Sequence, residues 1–250
     1  MKQYKAIQLF LWVLGMTCMY SLNMAYGVEI NVAIGLSLPP YVIAETNSGI
    51  EFDIVKESLD QKGYTMIPRY VLLRQVPEMF KKKVVDAAMT VNEGFGLDGF
   101  LSDVVITYQN FAITLADNKI SINTIEDLKD KSIIAFQNAT IYLGELFAKT
   151  VQPNKNYSET PKQLIQVNLL YSNRSQVVIS DKNIFLYYRN FADKALIQKD
   201  ITFHPIFKPN PYSVAFRDEK IKNAFNQGLE ALKKSGRYQE IINSYIQQDK

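Results

Sequence analysis

At 250 residues, with 47% hydrophobic and 21% charged side chains, the chain has the apolar content of a packed globular protein of one large or two small domains. Its net charge of +3 is spread along the sequence, and the tightest basic run, Lys81-Lys82-Lys83, closes a helix, so a nucleic-acid surface is excluded. One cysteine and one histidine leave too few N and S ligands for the usual zinc sites.

The first 27 residues read as an export signal. Lys2 and Lys5 precede an apolar run from Ala6 to Tyr20, and a more polar stretch ends in Ala25-Tyr26-Gly27, a small-x-small cleavage site. The run is shorter than the roughly 20 residues that span a bilayer comfortably, so the segment reads as a cleaved leader and the chain as periplasmic. Cys18 lies inside this leader, after Gly15-Met16-Thr17 rather than a lipoprotein pattern. From Val28 onward no cysteine remains, and the charge falls from +3 to +1 with the loss of Lys2 and Lys5.

Ile30, Val32 and Ile34 alternate and predict a strand, which Pro39-Pro40 stops in a loop presenting Tyr41. After Ser48-Gly49 the spacing of Ile50, Ile54, Val55 and Leu59 predicts a helix ended by Gly63. TMIPRYVLL is a second strand, RQVPEMFKKK a short helix with Val76, Met79 and Phe80 inward, and VVDAAMT a third strand. This alternation argues for an α/β fold, a mostly parallel sheet with helices on its faces. VVITYQNFAITLADN is one long strand or two, TIEDLKDK a short helix, SIIAFQNAT a strand, IYLGELFAKT a helix, and 153–161 a polar loop. PKQLIQVNLLYSN reads as a helix, SQVVISD as a strand, KNIFLYYRNFADK as an aromatic-rich helix and DITFHPIFKPNPYSVAFRD as strand segments. Asp218 caps a helix with Ile221, Phe225, Leu229 and Leu232 on one face, and RYQEIINSYIQ is the last helix. One βα series thus sits inside another. This predicts two lobes, 28–108 with 206–250 and 109–205, joined by crossings near Thr107–Asn110 and Pro205–Pro211.

No Gly-x-Ser-x-Gly elbow, Walker loop or strand-borne Gly-x-Gly-x-x-Gly is present, and a hydrolytic triad would depend on His204, which otherwise reads as structural. Four polar loops after strands remain: Leu38–Tyr41, Thr90–Phe95, Asn138–Tyr142 and Ser180–Asn183. In a doubly wound sheet such loops meet at the carboxyl edge of the strands, and between two lobes that edge is a cleft. Taken singly, Asp181 is a helix cap or a ligand group, and Tyr41 and Tyr142 are packing or platform.

The blocks INVAIGLSLPPYVI, SGIEFDIVKESLDQKGY, FKKKVVDAAMTV, SDVVITYQNFAITLA, TIEDLKDKSIIAFQNAT, SQVVISD and NQGLEALKKSGRYQEIINSYI occur in this order. Together, from Val28 to Gln247, they resemble the periplasmic solute-binding proteins of the polar amino-acid uptake class, family 3 of the extracellular solute-binding proteins. The resemblance implies a two-lobed type II periplasmic binding protein fold with its ligand between the lobes. In that family the loop after the third strand gives a Ser or Thr and, five residues on, an Arg that forks onto the ligand's α-carboxylate. The second lobe gives a Thr and an Asp that takes the α-ammonium. By position Thr90, Thr140 and Asp181 take three of these roles, with Tyr41, Asn92 and Tyr142 beside them. The Arg position holds Phe95, which suggests an apolar or aromatic wall. Removing one partner of a buried Arg–carboxylate contact costs roughly 2–5 kcal/mol, so another cation replaces it or the ligand is not a plain α-amino acid. Arg74, and after it Arg69, is the best replacement, or else a surface arginine.

The implied protein is a monomeric, non-enzymatic binding protein without cofactor or metal. It captures a small polar, amino-acid-like or amine-bearing solute for an inner-membrane ABC permease, or serves a sensory receptor. The other reading, a dehydratase-like periplasmic enzyme on the same frame, requires a carboxyl of raised pKa in the cleft, for which Glu93 and Asp181 are the candidates.

Overall fold

The computed structural model describes residues 27–247. The export signal expected over 1–27 lies, apart from Gly27, outside the described residues. The chain builds β1 (Val28–Gly35), β2 (Tyr64–Val71), β3 (Ala87–Val91), β4 (Phe100–Leu101) and β5 (Ile106–Tyr108). It then builds β6 (Asn110–Leu115), β7 (Ile133–Phe136), β8 (Tyr157–Thr160), β9 (Val177–Asp181) and β10 (Ile201–His204) in a second sheet and returns as β11 (Asn210–Phe216). The first sheet runs β2-β1-β3-β11-β4 with β5 also on β11, and the second runs β10-β6-β9-β7-β8. The chain passes between the sheets at Gln109 and again over 205–209. In each sheet the return strand is antiparallel, β11 to β3 and β6 to β9, while β1 with β2 and β3, and β7 with β8 and β9, pair in parallel. Every residue of β3 and β9 is buried, as expected of central strands covered on both faces.

Helices α1 (Ile50–Asp60) and α2 (Val76–Lys81) flank the first sheet. The helix expected in IYLGELFAKT is broken: Gly144, at φ +89°, separates α3 (Ala139–Tyr142) from α4 (Glu145–Val151). α5 (Gln163–Tyr171) and α6 (Lys182–Arg189) follow, and α7 (Glu219–Ser235) and α8 (Arg237–Ile246) return to the first sheet. The polar loop expected over 153–161 contains a strand, β8. It pairs in register with β7, from Ile133 opposite Tyr157 to Phe136 opposite Thr160, and its edge position tolerates the polar sequence YSET. The helix expected in TIEDLKDK shrinks to a 3₁₀ turn at Glu126–Leu128, because Asp127 Oδ2 accepts hydrogen bonds from the amides of Asn123 and Thr124.

One local feature positions the functional region. α1 has no side-chain cap; the amides of Ile50 and Glu51 donate to the carbonyls of Pro40 and Tyr41 at 2.8 and 3.0 Å. The Pro39-Pro40 loop is therefore bound to the first turn of α1. The approach requires Gly49, whose φ is +128° and whose Cβ, were one present, would stand 2.4 Å from the Tyr41 carbonyl oxygen. Tyr41 and Glu51 are thereby both packed beneath the carboxyl edge of the sheet, each with no exposed surface.

Gly49→Ala should destabilise the chain by about 2–4 kcal/mol, combining a disfavoured φ with a backbone clash. Urea unfolding measures this; a loss below about 1 kcal/mol would show that the loop does not depend on the close approach.

Candidate functional site

A cleft of about 440 Å³ opens between the two sheets. From the first-sheet side it is lined by Leu38, Leu73, Val76, Pro77, Thr90, Phe95, Tyr108, Asn210 and Tyr212. The second-sheet side contributes Asn110, Phe136, Tyr142, Gln163, Ser180, Asp181 and Ile184. All four loops singled out from the sequence contribute to it. Among the described residues no lysine or arginine lines it.

The floor is organised by a residue that does not itself line the cleft. Glu51, in the first turn of α1, is fully buried. Its Oε1 accepts a hydrogen bond from Thr90 Oγ1 at 2.9 Å, and its Oε2 accepts one from the Tyr108 hydroxyl at 2.7 Å. Burial pushes the carboxyl up to about 6, against the opposing pull of the hydrogen bonds from Tyr108 and Thr90. Burial first, and then the nearby Glu51 carboxylate, holds the Tyr108 phenol well above its ordinary range, so it remains a donor. Thr90 has φ +57°, a genuine outlier for a β-branched residue, worth about 1–3 kcal/mol of strain. This turn sits where the β3–β11 register shifts between Ser213 and Ala215.

Tyr108 stacks on Tyr41 with ring centroids 3.8 Å apart and planes 22° from parallel. Tyr41 does not line the cleft; it is fully buried behind Tyr108, and its hydroxyl donates to Asp181 Oδ1 at 2.7 Å. This bond joins the first-sheet side to the second. Asp181 also accepts from the amides of Asn183 (2.9 Å) and Ile184 (3.1 Å), capping α6, and from the amide of Gln109 (2.9 Å) at one crossing. It is therefore the helix cap that the sequence offered as one alternative, and it also lines the cleft. Burial raises its pKa, opposed by these four hydrogen bonds.

On the other side, Thr140 does not line the cleft. Its hydroxyl and amide both donate to Glu159 Oε1, at 3.2 and 3.1 Å, and the Asn138 amide donates to Glu159 Oε2 at 2.6 Å. The Tyr157 hydroxyl adds a bond of 2.6 Å. Burial works against the Glu159 charge, but these bonds hold its pKa below the usual carboxylate range. A carboxylate of the chain itself thus occupies the loop amides.

The other expected residues divide. Phe95 and Tyr142 line the cleft, Tyr142 at its rim with its ring 6.4 Å from Phe136. Asn92 turns away: its Oδ1 accepts from the Gly94 amide at 3.0 Å to cap the turn at Glu93–Phe95, and with Glu93 it borders a separate depression. Arg74 is exposed and does not line the cleft, and Arg69 donates both Nε and Nη2 to Asn31 Oδ1. Neither of them lines the cleft. His204 lies in β10 with Nε2 3.0 Å from Thr114 Oγ1, a packed position in the second sheet. Among the described residues no group of three or more His, Cys, Asp or Glu is placed to hold a metal.

No protein-family model matches the chain, and no curated protein matches it. Solved structures do. An ancestral cationic amino acid solute binding protein superposes with a TM-score of 0.67 over 88% of this chain and 96% of its own, at 17% identity. This is the type II periplasmic binding protein fold. The same fold is found in substrate binding domain 2 of Lactococcus lactis GlnP in its open conformation, with a TM-score of 0.64, 17% identity, and 89% and 97% of the two chains covered. It is found again in a polar amino acid ABC uptake transporter substrate binding protein from Streptococcus thermophilus, with a TM-score of 0.69, 15% identity, and 88% and 87% covered.

Two predictions follow from the buried carboxyls. The folded-state pKa of Glu51 lies above its ordinary 4.5, so its contribution to stability is fully present below about 4.5 and lost as pH rises through about 6. That loss is about 2 kcal/mol. In urea melts at a series of pH values, Glu51→Gln should gain about 2 kcal/mol on the wild type across this window; a pH-independent difference would show that Glu51 titrates normally. Asp181→Ala removes a cap and strands the Tyr41 hydroxyl and Gln109 amide, and should cost about 2–4 kcal/mol, with Asp181→Asn costing less. Equal, small losses in the two variants would contradict the four-donor arrangement.

Proposed function

We propose that the chain is an exported solute-binding protein that closes two lobes on a small molecule and delivers it to a membrane permease of the ABC type. The observation that carries the reading is the meeting of loops from both sheets in one cleft: Leu38, Thr90 and Phe95 face Tyr142, Ser180 and Asp181 across it. The proposed lobes are 28–108 with 206–250, and 109–205. The two crossings, at Gln109 and 205–209, serve as the hinge. Asp181 sits where closure would be sensed, since it touches the crossing through Gln109 and the opposite lobe through Tyr41. The names of the structural neighbours, substrate binding proteins and domains of amino-acid transport, support an uptake role. The leader expected over 1–27 would take the protein to the periplasm, where it acts as a monomer. Asp181, buried, of raised pKa and lining the cleft, is the one feature the dehydratase reading asks for; against that reading, Asp181 is engaged by four protein donors, Glu51 does not line the cleft, and Glu93 borders a different depression.

The test is a thermal-shift screen of the exported chain against amino acids, amines and carboxylic acids, with small-angle scattering on any hit. A true ligand at a hundredfold excess over Kd should raise Tm by about 5–10 °C and reduce the radius of gyration. Absence of both effects across all three classes would contradict the reading.

A further inference from the structure

We propose that the cleft selects an organic ammonium ion carried on an apolar or aromatic body, without a carboxylate, and that Glu51 beneath the floor sets this preference. The inference rests on the solute-binding reading above and narrows its ligand class.

The hydroxyls of the floor have a fixed polarity. A hydroxyl has one proton to donate, and both Thr90 and Tyr108 give theirs to Glu51. What each can turn toward a guest is therefore an oxygen lone pair. A guest meeting these groups is matched if it brings donors. Behind the floor stands a carboxyl with no ion-pair partner among the described residues; two hydroxyls bind it there, and the first turn of α1 favours its negative form. An ammonium bonded to Thr90 and Tyr108 would lie one hydroxyl away from that charge.

The positions that would hold an anion are taken or lost. Phe95 stands at the mouth in place of a cation, Arg69 is engaged with Asn31, and no lysine or arginine of the described residues lines the cleft. The Asn138 and Thr140 amides already hold Glu159. A carboxylate brought into this space would be desolvated without a partner, close to Glu51 and Asp181. The walls complete the specification. Phe95, Phe136, Tyr142 and Tyr212, with the Tyr108 ring, suit an apolar body and supply π faces to a cation.

Three molecules that share a phenyl-ethyl body test this by titration calorimetry on the exported chain: phenethylamine, L-phenylalanine and 3-phenylpropionate, with hexylamine as an aliphatic amine. Phenethylamine should bind, L-phenylalanine at least about tenfold more weakly, and 3-phenylpropionate not detectably. Glu51→Gln keeps the side chain's size but donates one hydrogen bond, which turns Thr90 or Tyr108 round to donate into the cleft; it should weaken phenethylamine about tenfold to a hundredfold. Tyr108→Phe removes one acceptor and should weaken it about tenfold, independently of how well the Gln variant folds. Equal or tighter binding of either carboxylate-bearing compound overturns the inference, as does unchanged amine binding in both variants. If both amines are silent while a zwitterion or acid from the wider screen binds, this inference fails and the solute-binding reading stands. Silence from every compound removes both.

Discussion

A fully buried carboxyl that two hydroxyls bind, and that no cation among the described residues neutralises, is the constraint around which the cleft is arranged. Burying a charge without a counter-ion is expensive, and chains usually avoid it by pairing or by omission. Here Glu51 is kept in the first turn of α1, and its surroundings are shaped to hold it: Thr90 takes a strained backbone angle that brings its hydroxyl to Oε1, and Tyr108 is held by its stack on Tyr41 so that its hydroxyl reaches Oε2. Strain of this kind persists only where neighbours over-determine it, and it concentrates at functional sites.

The same residues connect the floor to the opposite lobe. From Glu51 the path runs through Tyr108 to the stacked ring of Tyr41, and through the Tyr41 hydroxyl to Asp181, which caps α6 and holds the Gln109 amide. The group facing a guest, the group joining the lobes and the group fixing one crossing are thus in contact, or one contact apart. Phe95 lines the same cleft, which no lysine or arginine of the described residues enters, and Glu159 occupies the Asn138 and Thr140 amides beside it.

The frame was legible from the sequence because it is written in periodicity. Ile30, Val32 and Ile34 alternate, α1 carries its apolar stripe, and a second βα series interrupts the first, so two sheets and two crossings follow from patterning alone. Convergence of the four loops followed from topology. Individual roles did not, because a polar residue in a loop has many partners within reach: Asn92 found the Gly94 amide, Thr140 found Glu159, and Tyr41 turned inward to Asp181. Glu51 left a signal that apolar counting passes over. It shares a helix face with Ile54, Val55 and Ser58, all buried, and a carboxylate on a buried stripe needs a reason. Glu159 left none, since β8 is a four-residue polar edge strand that sequence alone reads as loop.

The central claim concerns which chemical group meets Thr90 and Tyr108. The most direct measurement is a crystal structure of residues 28–250 grown with phenethylamine. The account places the ammonium nitrogen about 3 Å from both Thr90 Oγ1 and the Tyr108 hydroxyl oxygen, with the ring against Phe95 or Phe136. An amine bound with its nitrogen away from both oxygens, or an anion seated against them, would contradict it.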